Sequence, residues 1–186
     1  HAGENLEELL KQRGADLGPP IQMCDALAAN TKGDFQTILG HCLAHARRRF
    51  VEVIEDFPTE SKHLLEVLGE VYRVDRECQE LPPEERLARH QLMSGPRMTE
   101  LKAWMTAQIQ ERKVEPNSGL GRAIEYMLKH WEPLTLFLRE AGAPLDNNAC
   151  ERALKRAVLH RKNSMFYRTR AGAAVGDAFM SVIHTC

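Results

Sequence analysis

From Pro58 to Arg139 the apolar residues recur at helical spacing, and two short strand-like runs stand ahead of that stretch. Leu64, Leu65, Val67, Leu68, Val71 and Tyr72 follow the three-to-four-residue period of one buried helix face. Pro82-Pro83 marks a turn and the start of another helix. Met98 to Glu111 and Leu120 to His130 predict two more helices, with Pro133 breaking or restarting the last. Ahead of this helical stretch, strand patterns occur at Ile21–Cys24, after the turn signal Gly18-Pro19-Pro20, and at Phe35–Cys42, which leads into a helix over Ala44 to Glu55. An amphipathic helix over Glu4 to Arg13, stopped by Gly14, precedes them. A chain of 186 residues with this balance is α-rich α/β and long enough to bury a sizeable core.

The segment Leu145-Asp146-Asn147-Asn148-Ala149-Cys150-Glu151-Arg152 carries the sharpest chemical signal. Glu151 stands at the start of a helix with Arg152, Lys155, Arg156, Arg161, Lys162, Arg168 and Arg170 after it, and no Asp or Glu occurs from Arg152 to Gly176. A lone carboxylate in such surroundings is either a helix cap or a metal ligand beside a polyanion. Asn148-Ala149-Cys150-Glu151 fits a capping box, with Asn148 accepting from an early N–H and Glu151 reaching back. The alternative needs a second acid from another element. Asp25 supplies one, because it stands where the apolar run Ile21-Gln22-Met23-Cys24 ends. Two such carboxylates can converge on a hard divalent cation such as magnesium, which takes oxygen ligands and leaves room for water and phosphate oxygens. On the Glu151 helix, Cys150, Ala153, Leu154, Ala157 and Val158 form the expected buried stripe, and Glu151, Lys155 and Lys162 share another face.

Three blocks carry a likeness to a known family: Gln22-Met23-Cys24-Asp25-Ala26-Leu27, then Cys42-Leu43-Ala44-His45-Ala46-Arg47-Arg48-Arg49-Phe50, then Leu145 to Leu154 continuing into His160-Arg161-Lys162-Asn163-Ser164-Met165-Phe166-Tyr167. Glu115-Pro116-Asn117-Ser118-Gly119-Leu120-Gly121 and Lys129-His130-Trp131-Glu132 add to it. On these blocks the chain resembles the DDE transposases of the insertion sequence 66 family, along essentially its whole length. The resemblance implies an RNase H-like core, in which three acids hold two magnesium ions, with manganese a possible substitute. Asp25 takes the place of the second acid and Glu151 that of the third, while the first is expected upstream of His1. The chain then reads as a fragment of a longer protein, lacking its first strands and inactive alone. Residues 1–57 and 141–186 would be the two parts of the core, and 58–140 a helical insertion. Met165-Phe166-Tyr167 is a candidate short strand and Val175 to Thr185 a final helix.

The chemistry implied is metal-dependent phosphodiester hydrolysis and strand transfer on transposon ends and target DNA. His45, Arg47, Arg48, Arg49, Arg152, Lys155, Arg161 and Lys162 are the candidate DNA contacts, because clustered bases suit phosphate. The formal net charge of -1 excludes a uniformly basic nucleic-acid-binding chain but not local basic patches. Five cysteines without regular spacing do not form a disulfide framework and point to a reducing compartment, and the resemblance implies the bacterial cytoplasm and nucleoid. Cys42 and His45, with His41 adjacent, could be half of a zinc site, but no second pair completes it. Trp104 and Trp131 are expected in the core rather than under bases. No apolar run reaches the ~20 residues that span a bilayer. A homo-oligomer and companion proteins of the same element are implied partners. Two other readings remain open: a decayed copy that keeps a DNA- or partner-binding helical surface, and a two-metal nuclease that cleaves without joining.

Overall fold

A computed structural model describes residues 10–14, 17–26, 36–163 and 169–185, and it resolves into two compact units, His1–Asp146 and Asn147–Cys186. In the first unit, strand β1 (Ile21–Cys24) pairs in parallel with β2 (Ile38–His41), Ile21 opposite Ile38 and Cys24 opposite His41. They are the only strands among the described residues, so the architecture is α-rich α/β as the apolar periodicity predicts. Of the helix expected over Glu4 to Arg13 most lies outside the described residues, as does the Met165–Tyr167 strand.

Helix α1 (Leu43–Glu52) follows β2 after one residue and buries Leu43, Ala46 and Phe50, the i, i+3, i+7 stripe of a single face. Helix α2 (Pro58–Glu77) starts with Pro58 at a first-turn position, where the missing N–H costs nothing. Leu64, Leu68, Val71 and Val74 form its core stripe. Helix α3 (Pro83–Gln110) departs from the expectation, since it runs unbroken through Pro96 where the sequence reads as two helices. Proline at 96 removes the bond to the carbonyl of Leu92. Pro96 and Leu92 both face water, and solvent can satisfy that carbonyl while Ser94 and Met98 stay packed. Helix α4 (Gly119–Lys129), a short α5 (Trp131–Leu134) and a 3-10 turn (Leu136–Leu138) complete the unit, with Pro133 restarting rather than ending the chain's helical path.

One core joins these elements. Phe50, Leu43, Leu64, Leu68, Met98, Leu101, Met105, Leu120, Ile124, Met127 and Leu134 are all fully buried in it. Helix α1 packs against both α2 and α4, and β2 packs on α5 and the 3-10 turn. Trp131 belongs to this core and Trp104 packs against it, so both tryptophans are structural as expected. The start of α4 shows how tightly local signals and packing interlock. Ser118 Oγ accepts from the Gly121 N–H at 3.0 Å and donates to the Glu115 carbonyl at 2.6 Å, closing the turn that caps the helix. A Cβ at Gly121 would strike the Glu115 carbonyl oxygen and lie 2.6 Å from that of Pro116. Both obstacles are backbone and cannot swing aside. Gly121→Ala is therefore expected to cost about 1–3 kcal/mol of stability, as overpacking does. A lowered urea midpoint with an unchanged denaturant slope is the expected reading, and an unshifted midpoint would refute the clash.

In the second unit, α6 (Asn148–Asn163) and α7 (Arg170–Thr185) are both helical. The first intrahelical bond of α6 runs from the Glu151 N–H to the Asn147 carbonyl at 2.9 Å. Asn147 thus takes the cap position expected for Asn148, and Glu151 falls one residue beyond the place that a capping box requires. Of the buried stripe read on this helix, Cys150 and Ala153 are instead exposed, and the side chains of Leu154, Ala157 and Val158 lie outside the described residues. Helical periodicity marks a face, but whether anything packs on that face is not encoded in the period. No described helix is long and apolar enough to cross a membrane.

Candidate active site

The end of β1 and the start of α1 are held by the backbone. The Cys42 N–H donates to the Cys24 carbonyl at 3.0 Å, extending the strand ladder, and the Leu43 N–H donates to the Leu145 carbonyl at 2.9 Å. These bonds fix the peptide just ahead of Asp25 beside the first turn of α1. Here a cleft of about 310 Å3 opens, lined by Asp25, Ala26, His45, Arg48, Arg49, Glu52 and Tyr126.

The α1 contribution is one helix face. His45, Arg48, Arg49 and Glu52 stand at i, i+3, i+4 and i+7, so the polar stripe runs along the side of α1 away from Leu43, Ala46 and Phe50. Tyr126 comes from α4, and the Arg49 guanidinium sits 3.8 Å from its ring centroid. A guanidinium stacked in this way keeps its in-plane N–H groups directed outward, which suits recognition of planar or tetrahedral oxyanions.

Asp25 acts on three groups around it, Cys24, Tyr126 and His41. Burial pushes the Cys24 thiol up, and the Asp25 charge adds to the rise. Burial likewise pushes the Tyr126 phenol up, against the pull of Arg49, with Asp25 raising it further. His41 is buried on β2, with neither ring nitrogen in a hydrogen bond. Burial holds its pKa below 6.5, the nearby His130 holds it lower, and Asp25 partly opposes them. The His130 ring lies 5.1 Å from His41 and 4.8 Å from Tyr126. Its own pKa is depressed by burial first, then by Lys129 and Arg49.

These histidines predict a pH dependence. A depressed folded-state pKa means that the unfolded chain binds the proton more readily. The stability from neutral His41 and His130 is complete above the unfolded value near 6.5 and is lost as pH falls below it toward the lower folded value. The urea midpoint should therefore drop between about pH 7.5 and 5.5, and His41→Gln should flatten that slope. A slope unchanged in the variant would remove His41 from the account. Asp75 acts in another window. Burial would raise its pKa, but the neighbouring His90 and the Arg86 guanidinium outweigh this and lower it, so its contribution is lost only as pH falls below 3.8.

The residues anticipated from sequence separate into three groups. Asp25, His45, Arg48 and Arg49 share the cleft. Arg47 is exposed on α1 outside the cleft lining, on the side of Tyr72, whose phenol is pushed up by burial and by Asp146 while Arg47 opposes the rise. Glu151, Arg152 and Lys155 lie on α6 in the second unit, and the side chains of Arg161 and Lys162 fall outside the described residues. Glu52 and Tyr126 were missed. Glu52 was legible as the i+7 member of the His45 stripe, whereas nothing local to Tyr126 connects α4 to β1. Cys42 is buried and Cys78 and Cys24 with it, so the thiols of the first unit are packed groups.

Comparison with known proteins gives a single family. A model described as "Transposase IS66 family" matches residues 2–175. The chain is 36% identical over 79% of its length to the uncharacterized protein y4jD of Sinorhizobium fredii (strain NBRC 101917 / NGR234), covering 29% of that protein. It is 34% identical to the uncharacterized protein y4hP of the same strain, over 78% of this chain and 28% of that one. Uncharacterized protein y4qI, again of that strain, is 27% identical over 87% of this chain and 30% of its own. The chain thus spans about three-tenths of the length of these relatives. No solved structure matches it.

Proposed function

This chain belongs to the IS66 family of transposases, and we propose that it is part of the catalytic region, acting on DNA phosphodiesters with Asp25 and Glu151 as metal-binding acids. The observation that carries the reading is the position of Asp25, which directly follows a strand of a parallel pair and lines a cleft with His45, Arg48 and Arg49. A short parallel pair followed by helices is also compatible with an RNase H-like core.

The donor set fits magnesium. Asp25 offers a carboxylate, Glu52 adds a second in the same cleft, and hard oxygen donors are what this ion takes. Bound ions would activate the attacking oxygen and stabilise the leaving one at the phosphodiester. The chain's own bases do the rest. Arg48 and Arg49 neutralise phosphate charge and orient the backbone, with Arg49 braced against Tyr126. Arg47, Arg152 and Lys155 extend the contact along the DNA, and Arg161 and Lys162 belong to the same basic run.

The test is strand transfer in a protein of the relatives' full length, assayed with and without magnesium or manganese, and with Asp25→Asn. Joining that needs no divalent ion, or survives the substitution, would overturn the proposal.

A further inference from the structure

A second group of chemically capable side chains lies where α2 meets α3, and its place in the reading of the Asp25 cleft is nil. Asp75 is in the last turn of α2, Cys78 immediately follows that helix, and His90 projects from α3. One ligand atom from each lies within 4.8 Å of the other two. Cys78 and His90 are each only 1% exposed. We propose that Asp75, Cys78 and His90 form a zinc site that clamps α2 to α3, with the fourth position taken by water on the half-exposed side of Asp75 and Arg86.

The geometry is close to that of a filled site. Zinc bonds of about 2.0–2.3 Å at tetrahedral angles put neighbouring ligand atoms roughly 3.3–3.6 Å apart. The His90 Nε2 is 3.1 Å from the Asp75 Oδ1 and 3.9 Å from the Cys78 Sγ, one on either side of that range. One sulfur, one imidazole nitrogen and one carboxylate make a mixed set that suits this borderline-soft ion better than magnesium or calcium.

The surrounding groups are those that orient ligands. His90 Nδ1 lies 3.0 Å from the buried Ser94 Oγ. When Nδ1–H donates to that hydroxyl, Nε2 presents its lone pair to Asp75 and Cys78. A lone pair facing a carboxylate is repulsive unless a cation stands between them. Arg86 binds Asp75 Oδ1 at 2.5 and 3.2 Å, which steers the carboxylate so that this same oxygen faces His90 Nε2. A thiolate and a carboxylate balance the two charges of zinc, so Arg86 can remain as the outer partner of Asp75. The competing arrangement places a proton on Nε2, donating to Asp75, with Cys78 a bystander thiol.

Metal analysis separates the two. The 186-residue chain is loaded with zinc, desalted and assayed for bound metal, and in parallel titrated with cobalt(II). The expected result is about one equivalent of zinc, a thiolate-to-cobalt charge-transfer band, and a raised urea midpoint with zinc but not with magnesium. Cys78→Ala should lose the band and the zinc-dependent shift while keeping its helical circular dichroism. Should that variant fail to fold, Cys78→Ser makes the same comparison through a weakened or absent band. Cys150→Ser, at an exposed thiol of the second unit, should leave both signals intact. No retained zinc, retention unaffected at Cys78, or loss on changing Cys150 would each overturn the site in favour of the protonic network.

Discussion

Asp25→Asn, placed in a protein of the relatives' full length, should lower strand transfer about 10³-fold, or about 4 kcal/mol of transition-state stabilisation. The amide keeps the size of the side chain and its capacity to accept a hydrogen bond. What it removes is the negative charge that a hard divalent ion requires. DNA binding should survive, because Arg48 and Arg49 remain in the cleft. It could tighten slightly at low salt, since one charge facing the phosphates has gone. Glu151→Gln should behave in the same way. Gln keeps the length of the Glu151 side chain and its capacity to accept a hydrogen bond, so stability should change by no more than the ~1 kcal/mol of a typical cap. Parental joining rates in either variant would assign that acid to structure and withdraw it from the chemistry.

Phe50→Ala should be the most damaging single change to the fold. The ring is fully buried on the core face of α1, among residues from α2, α3 and α4. Truncation there loses transfer free energy and leaves a cavity, together about 3–5 kcal/mol. Against a total of about 5–15 kcal/mol for an ordinary domain, that is enough to leave the chain marginal. The same helix carries His45, Arg48, Arg49 and Glu52 on its other side, so the loss should loosen the cleft as well as the core. Arg48→Ala offers the contrast: exposed and polar, it should move the urea midpoint by no more than about 0.5 kcal/mol equivalent. Equal effects from the two changes would mean that α1 is not anchored by its apolar face.

The helices of the first unit were legible because their signals are local. Leu64, Leu68, Val71 and Val74 repeat on one face of α2, and Pro58 opens that helix. The same holds for the strand ending at Cys24 and for Asp25 as the acid directly after it. Family membership was legible too, since it rests on blocks of residues in order rather than on packing. The exact limits of a helix were less so. Pro96 reads as a breaker when neighbours are unknown, and only burial of Ser94 and Met98 beside an exposed Leu92 makes a continuous helix the cheaper outcome.

What tertiary structure alone decided is which faces meet. Arg47, Arg48 and Arg49 are indistinguishable in sequence, yet α1's buried stripe turns two of them toward Asp25 and leaves the third beside Tyr72. Tyr126 reaches the cleft because α4 packs on α1, a long-range contact that no local period encodes. Asp75, Cys78 and His90 come together for the same reason, from two helices whose shared apolar seam sets their rotation. Periodicity assigns each residue to a side of its own helix, but the angle at which helices dock is a property of all the side chains between them.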